Sequence, residues 1–254
     1  MSMPTIYTTL VDFCPSPSTI DYAMSETETI VVSLGGSLIV PDNIDTNFLS
    51  ALKELIETET TNGRRFILIA GGGKTARRYA DAAAAVAPLE NEDLDWLGIH
   101  ATRLNAHLVR TIFRHLAHYE VISNPDDILD VPDTAKLIIA SGYRPGSSTD
   151  LRAIQIAEHV GAKKVINLSN IEYVYTADPK TDPSAEKIED ITWAEFRTLI
   201  PDEWDPGLNS PFDPVAAKAA EAKNIEVACI SGESLDSLKN YLEGNQFTGT
   251  RIHN

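Results

Sequence analysis

Apolar positions along this chain follow two rhythms. Short runs rich in Ile, Val and Leu occupy residues 30–34, 66–70, 136–140, 164–168 and 226–230. Runs of that length, bounded by glycine or small polar residues, read as strands covered on both faces. Between them, apolar residues recur every three or four positions. Phe48, Leu49, Leu52, Leu55 and Ile56 form such a stripe and predict a helix over residues 45–59. The alanine-rich segment 75–86 predicts a second helix, which Pro88 closes. A long third helix is predicted over residues 93–118, with Leu94, Leu97, Ala101, Leu104, Leu108 and Phe113 on its buried side and Arg103 and Asn105 on a solvated face. Ser148 or Thr149 caps a helix over residues 151–160, Asp213-Pro214 opens one that runs to Lys223, and residues 235–242 form the last. Strand alternating with helix predicts an α/β fold whose right-handed crossovers bring successive strand-end loops to one edge of a parallel sheet.

Those loops carry the candidate chemistry. Gly71-Gly72-Gly73-Lys74 follows a strand and precedes a helix, so bare N–H groups and a helix start face the same point. Such a junction suits an anion, though the same glycines also make ordinary tight turns. A Walker A loop would need glycine five places before Gly73, where this chain has Leu68. The dinucleotide fingerprint fails as well, because its third glycine is missing. Gly35-Gly36-Ser37 ends the first strand, and residues 141–150, Ser-Gly-Tyr-Arg-Pro-Gly-Ser-Ser-Thr-Asp, follow another. Three small-residue loops on one sheet edge favour a site over three coincidental turns. Tyr173 and Tyr175 alternate on a predicted hairpin, where an aromatic side chain covers core or flanks a base.

Composition narrows the partners. A chain of 254 residues with 43% hydrophobic content has room for one large α/β domain or two lobes. A formal net charge of −16 argues against a protein that grips nucleic acid through a broad basic face, and leaves a small phosphorylated ligand open. Cys14 and Cys229 offer neither a disulfide framework nor a metal cluster, and His107, His115 and His118 lack ligand spacing. No apolar run approaches the roughly 18 residues of a membrane span, and a reducing cytoplasm is the expected compartment. Residues 1–29 hold Pro4, Pro15 and Pro17 and no lysine or arginine, so they read as a flexible extension, and residues 30–254 as the folded domain.

From Ile30 to Ile252 the chain resembles the amino acid kinase superfamily, and within it the archaeal-type uridylate (UMP) kinases. The carriers are Leu34-Gly35-Gly36-Ser37-Leu38, Gly71-Gly72-Gly73-Lys74 with Arg77, Asp95-Trp96-Leu97-Gly98-Ile99, Thr102-Arg103-Leu104-Asn105-Ala106, Pro145-Gly146 with Thr149-Asp150, Val174-Tyr175-Thr176-Ala177-Asp178-Pro179-Lys180, Asp213-Pro214 with Ala217-Lys218, and Gly249-Thr250. Their order and spacing are specific together. The resemblance implies a single three-layer αβα sandwich with a mainly parallel central sheet, and transfer of the ATP γ-phosphoryl group to UMP. Mg²⁺ would arrive with ATP. Gly35, Gly36, Ser37, Gly73, Arg77, Ser169, Tyr175 and Asp178 would serve ATP. Gly72, Asp95, Arg103, Gly142, Arg144, Pro145, Gly146, Ser147 and Ser148 would serve UMP. Asp150 would orient cationic groups, and a homo-oligomer, a hexamer built from dimers, is implied.

Two departures matter. Ser33 stands where many superfamily members carry lysine, so the resemblance leaves Lys74 or Lys218 as the cation near the transferred group. Glu172-Tyr173 stands where an Asp-Gly is usual, replacing a glycine able to take positive φ. An amino acid kinase-like enzyme with another small acid or phosphate acceptor, or a non-catalytic nucleotide-binding relative, are the alternative readings.

Overall fold

The computed structural model describes residues 28–203 and 210–254. The expected extension therefore lies almost wholly outside the described residues, as does most of the proline-rich loop between Pro201 and Pro211.

In chain order the elements are β1 (Thr29–Leu34), α1 (Gly36–Ile39), α2 (Thr46–Thr61), β2 (Arg65–Ala70), α3 (Gly73–Ala84), α4 (Asn91–Ile112) and β3 (Ala117–Ile122). After a 3-10 turn at Pro125–Asp130 come β4 (Leu137–Ala140), α5 (Thr149–His159), β5 (Lys164–Ser169), β6 (Val174–Tyr175), β7 (Lys187–Ile188) and β8 (Asp190–Thr192). The rest is α6 (Trp193–Phe196), α7 (Pro214–Lys223), β9 (Glu226–Ser231), α8 (Asp236–Leu242) and β10 (Gly249–His253). Eight strands form one sheet in the order β3-β4-β2-β1-β5-β9-β10-β8, and every pairing in it is parallel except β9 with β10. β6 and β7 form a separate antiparallel hairpin.

Each central strand divides its side chains between two cores. Val31, Ile67, Ile69, Ile138, Val165 and Val227 pack beneath α5 and α7 through Ala153, Ile154, Ala157, Ala216 and Ala220. Ile30, Val32, Leu34, Phe66, Leu68, Ile139 and Ile166 face α2, α4 and α8 through Leu52, Ile56, Val109 and Leu238. Burial on both faces is why these strands read as unbroken apolar runs, and the three-layer sandwich follows.

The structure corrects several expectations. The third helix ends at Ile112, and His118 belongs to β3, an edge strand whose exposed Tyr119 and Glu120 hide it from a search for apolar runs. The buried side of α4 is carried by Ile99, Ala101, Thr102, Asn105, Ala106 and Val109, while Leu104 is 64% exposed. Asn105 is therefore buried rather than solvated, whereas Ala101 and Phe113 are buried as expected. The hairpin expected around Tyr173 and Tyr175 is present as β6–β7. No non-glycine residue but Asn224 has positive φ among the described residues, so Glu172-Tyr173 makes its turn without the left-handed backbone a glycine would offer. Tyr173 stacks instead on the Lys187 ammonium, 4.7 Å from the ring centroid.

Candidate functional site

The ends of β1 and β2 are locked together by backbone alone. The Gly71 N–H donates to Leu34 O at 2.8 Å, and the Gly35 N–H to Leu168 O at 2.7 Å. A Cβ on Gly36 would lie 2.1 Å from the Gly73 nitrogen, and one on Gly73, whose φ is +62°, would lie 2.1 Å from Gly36 O. Only two glycines cross this closely, so both junctions stay bare. Asn105 holds the crossing from α4, its Nδ2 donating to Gly71 O at 2.7 Å and Gly72 O at 3.1 Å.

Two clefts flank this crossing. The first, about 630 Å³, is lined by Gly72, Gly73, Arg77, Asp95, Gly142, Ser147 and Ser148, with Gly98 and Thr102 in its wall. It gathers most of the residues expected to serve UMP. Asp95 reaches across its mouth, where the Gly146 N–H donates to Oδ2 at 2.8 Å, and burial raises its carboxyl above the usual carboxylate range. Thr102 Oγ1 accepts from the Gly142 N–H at 2.8 Å. Ser148 caps α5 by accepting from the Leu151 N–H at 3.2 Å, so an N-terminus opens beside the cleft. The second cleft, about 750 Å³, is lined by Ser37, Asn47, Phe48, Arg77, Asn170, Gly232 and Glu233. Ser169 sits next to it, since its carbonyl accepts from the Gly232 N–H at 2.7 Å and its Cα would be 3.2 Å from a Cβ on Gly35. Arg77 lines both clefts.

Other candidates are placed differently from expectation. Arg144 lines a separate small pocket with Arg152 and His159 rather than the first cleft. Pro145 follows it in the loop, and Arg103 braces that loop from α4, its Nη2 donating to Tyr143 O at 3.2 Å. The Lys74 ammonium lies 3.7 Å from Asp42, and Lys218 Nζ donates to Asp202 O at 2.8 Å. Each lysine is thus paired with a surface aspartate from another segment. Tyr175 belongs to β6, and Asp178 accepts from the Lys180 N–H at 2.9 Å in the turn beyond it. That hairpin is tied to β10, where the Val174 N–H donates to Thr250 Oγ1 at 2.8 Å.

Among the described residues Asp150 has no lysine, arginine or histidine partner. Its Oδ1 accepts from the Ser33 hydroxyl at 2.7 Å, and its Oδ2 from the Asp213 N–H at 3.3 Å. Asp213 caps α7 through Oδ1, leaving Oδ2 buried without a partner. Burial, then the nearby Asp213 charge, push the Asp150 carboxyl up to about 6, against the lowering effect of the Ser33 bond. Thr102 and Asn105 stand in a motif of the resemblance but carry no site role in the sequence reading, although Gly98, Thr102 and Asn105 fall at spacings of four and three, a small and polar stripe on one helix face. Among the described residues no three His, Cys, Asp or Glu side chains converge. The orphan oxygen of Asp213 beside Asp150 does fit a cation that brings ligands of its own.

The sequence pattern of the amino acid kinase family matches residues 28–231. A uridylate kinase of Methanospirillum hungatei is 34% identical over 225 residues, covering 88% of this chain and 94% of that protein. One from Hyperthermus butylicus is 32% identical over 85% of this chain and 95% of its own length. The crystal structure of a uridylate kinase from Archaeoglobus fulgidus superposes with a TM-score of 0.76 at 28% identity, over 89% of this chain and all of that one.

Proposed function

The chain belongs to the amino acid kinase family, and we propose that it transfers the γ-phosphoryl group of ATP to UMP, giving UDP in pyrimidine nucleotide synthesis. The observation that carries this reading is that Arg77 lines both clefts at the point where the glycine crossing separates them. A donor in the Ser37–Asn170–Gly232 cleft and an acceptor in the Asp95–Ser148 cleft would meet there in line. Phosphoryl transfer needs positioning and charge neutralisation more than covalent chemistry. Arg77 would supply positive charge there, and the bare N–H groups of the crossing approach phosphate oxygens closely. Asp95 suits the acceptor ribose, because a carboxylate accepts from two hydroxyls.

Mg²⁺ would be held by Asp150 and Asp213, and when bound it neutralises charge on nucleotide phosphate oxygens. Asp150 itself keeps Ser33 and the start of α7 in register at the end of β1. The proposal includes a cytoplasmic homo-oligomer, in which a second copy covers Tyr79, Val86 and Leu104, apolar side chains exposed on and between α3 and α4. No helix among the described residues is long and apolar enough to cross a membrane.

A coupled ADP-release assay with ATP, Mg²⁺ and a panel of UMP, CMP, dUMP and isopentenyl phosphate tests the reading. UMP should give the highest kcat/KM. A higher value for another acceptor, or no ADP release with any, would overturn it.

A further inference from the structure

The chain carries 37 acidic residues against 21 lysines and arginines, yet two arginines stand together behind the loop of residues 142–148 with no carboxylate among the described residues on either. Arg152 of α5 is 3% exposed. Its Nη groups donate to the side-chain oxygens of Gln155 and Ser147, both neutral, and its Nε is buried without a partner. Arg144 stacks on the same Tyr143 ring, the two guanidinium carbons lying 5.7 and 5.5 Å from its centroid. A pocket of about 150 Å³ opens against this pair, its wall completed by Gln155, His159 and Asn124. The carboxylate on that wall, Asp126, is 77% exposed and lies 3.6 Å from His159 Nε2.

A guanidinium does not shed its proton, so burying one without a counter-charge leaves a desolvation cost that neutral acceptors offset only in part. A second guanidinium beside it adds repulsion. An anion in the pocket removes both costs. We propose that this pocket binds a phosphate-class oxyanion, which braces the loop of residues 142–148 from behind. The volume admits one phosphoryl-sized group and is well under the roughly 300 Å³ of pockets that take larger organic ligands. Ser147 is the shared part, because its hydroxyl accepts from Arg152 and donates to Arg144 O at 3.0 Å while the residue also lines the first cleft. Binding stands on the pocket alone, and coupling to the acceptor rests on the reading of the first cleft given above.

The test is calorimetric titration of inorganic phosphate, and separately of glycerol 3-phosphate, into the full-length protein and three variants. Gln155→Glu brings a carboxylate to Arg152, and Arg144→Ala removes an exposed side chain whose loss the fold tolerates. Each should weaken binding by about tenfold or more. Arg77→Ala, which alters the large clefts, should leave it intact. Which of the two ligands binds names the source of the phosphate group. No binding of either, or binding lost only in Arg77→Ala, would overturn the site. Binding that leaves KM for UMP unchanged would overturn the bracing. A protein inactive toward UMP would sink the kinase reading and leave the titration to judge the pocket.

Discussion

The Ser33 hydroxyl donates to Asp150 Oδ1 at 2.7 Å, joining the end of β1 to the first turn of α5 across 117 positions of sequence. Asp213 completes the cluster through its N–H and adds a like charge. In the folded chain Asp150 therefore holds its proton more tightly than it does unfolded. The stability contributed by Asp150 should therefore fall as pH rises from about 4 to about 6, the interval between the ordinary and the raised value, and level off above it. Asp150→Asn does not titrate. The stability difference between wild type and Asp150→Asn, read by urea melts at successive pH values, should shift in favour of the variant across that interval and then level off. A difference that does not change with pH would contradict the assignment.

Asn105 is 3% exposed and serves two carbonyls of the glycine crossing. Asn105→Ala leaves both without their donor, at a cost of about 1–3 kcal/mol for a buried unsatisfied group. Chemical denaturation should show that loss, together with a raised KM for the acceptor. Wild-type stability in the variant would mean that the carbonyls find other partners.

Gly36 and Gly98 make an internal contrast. A Cβ on Gly36 would overlap the Gly73 nitrogen at 2.1 Å, so Gly36→Ala should abolish activity and lower Tm sharply. A Cβ on Gly98 meets nothing within 4 Å and lies inside α4, so Gly98→Ala should add about 1 kcal/mol by helix propensity. Because Gly98 borders the first cleft, the same methyl group should raise KM for UMP without changing KM for ATP. Steady-state kinetics with each substrate varied in turn would refute the cleft assignment if ATP were the one affected.

Arg77 is expected to matter more than either lysine. Removing a single preorganised donor costs on the order of a hundredfold in turnover. Arg77→Ala should show a loss of that size, whereas Lys74→Met and Lys218→Met, whose ammonium groups face Asp42 and Asp202, should stay within about threefold of wild type. A hundredfold loss in Lys74→Met with Arg77→Ala near normal would return the role to the lysine.

The five central strands, the order of the helices and the location of all three glycine-bearing loops were legible in the amino-acid sequence. Runs buried on both faces and glycines at strand ends are local signals, and right-handed crossover then dictates which edge the loops share. The edge strands β3 and β8, and β10 between β8 and β9, were not legible, because none of the three carries a run of Ile, Val and Leu. Side-chain partners were the other gap. Nothing local to Arg144 tells which side of its loop it faces, and nothing local to Lys74 or Lys218 tells that an aspartate from another segment lies within reach. Asn105 looked solvated from its place between Leu104 and Ala106, and only the packing of α4 against the crossing turned it inward to the Gly71 and Gly72 carbonyls. Which groups meet, and therefore that Asp150 faces the Ser33 hydroxyl and Asp213, depends on contacts between segments far apart in sequence, and those exist only once the sheet is assembled.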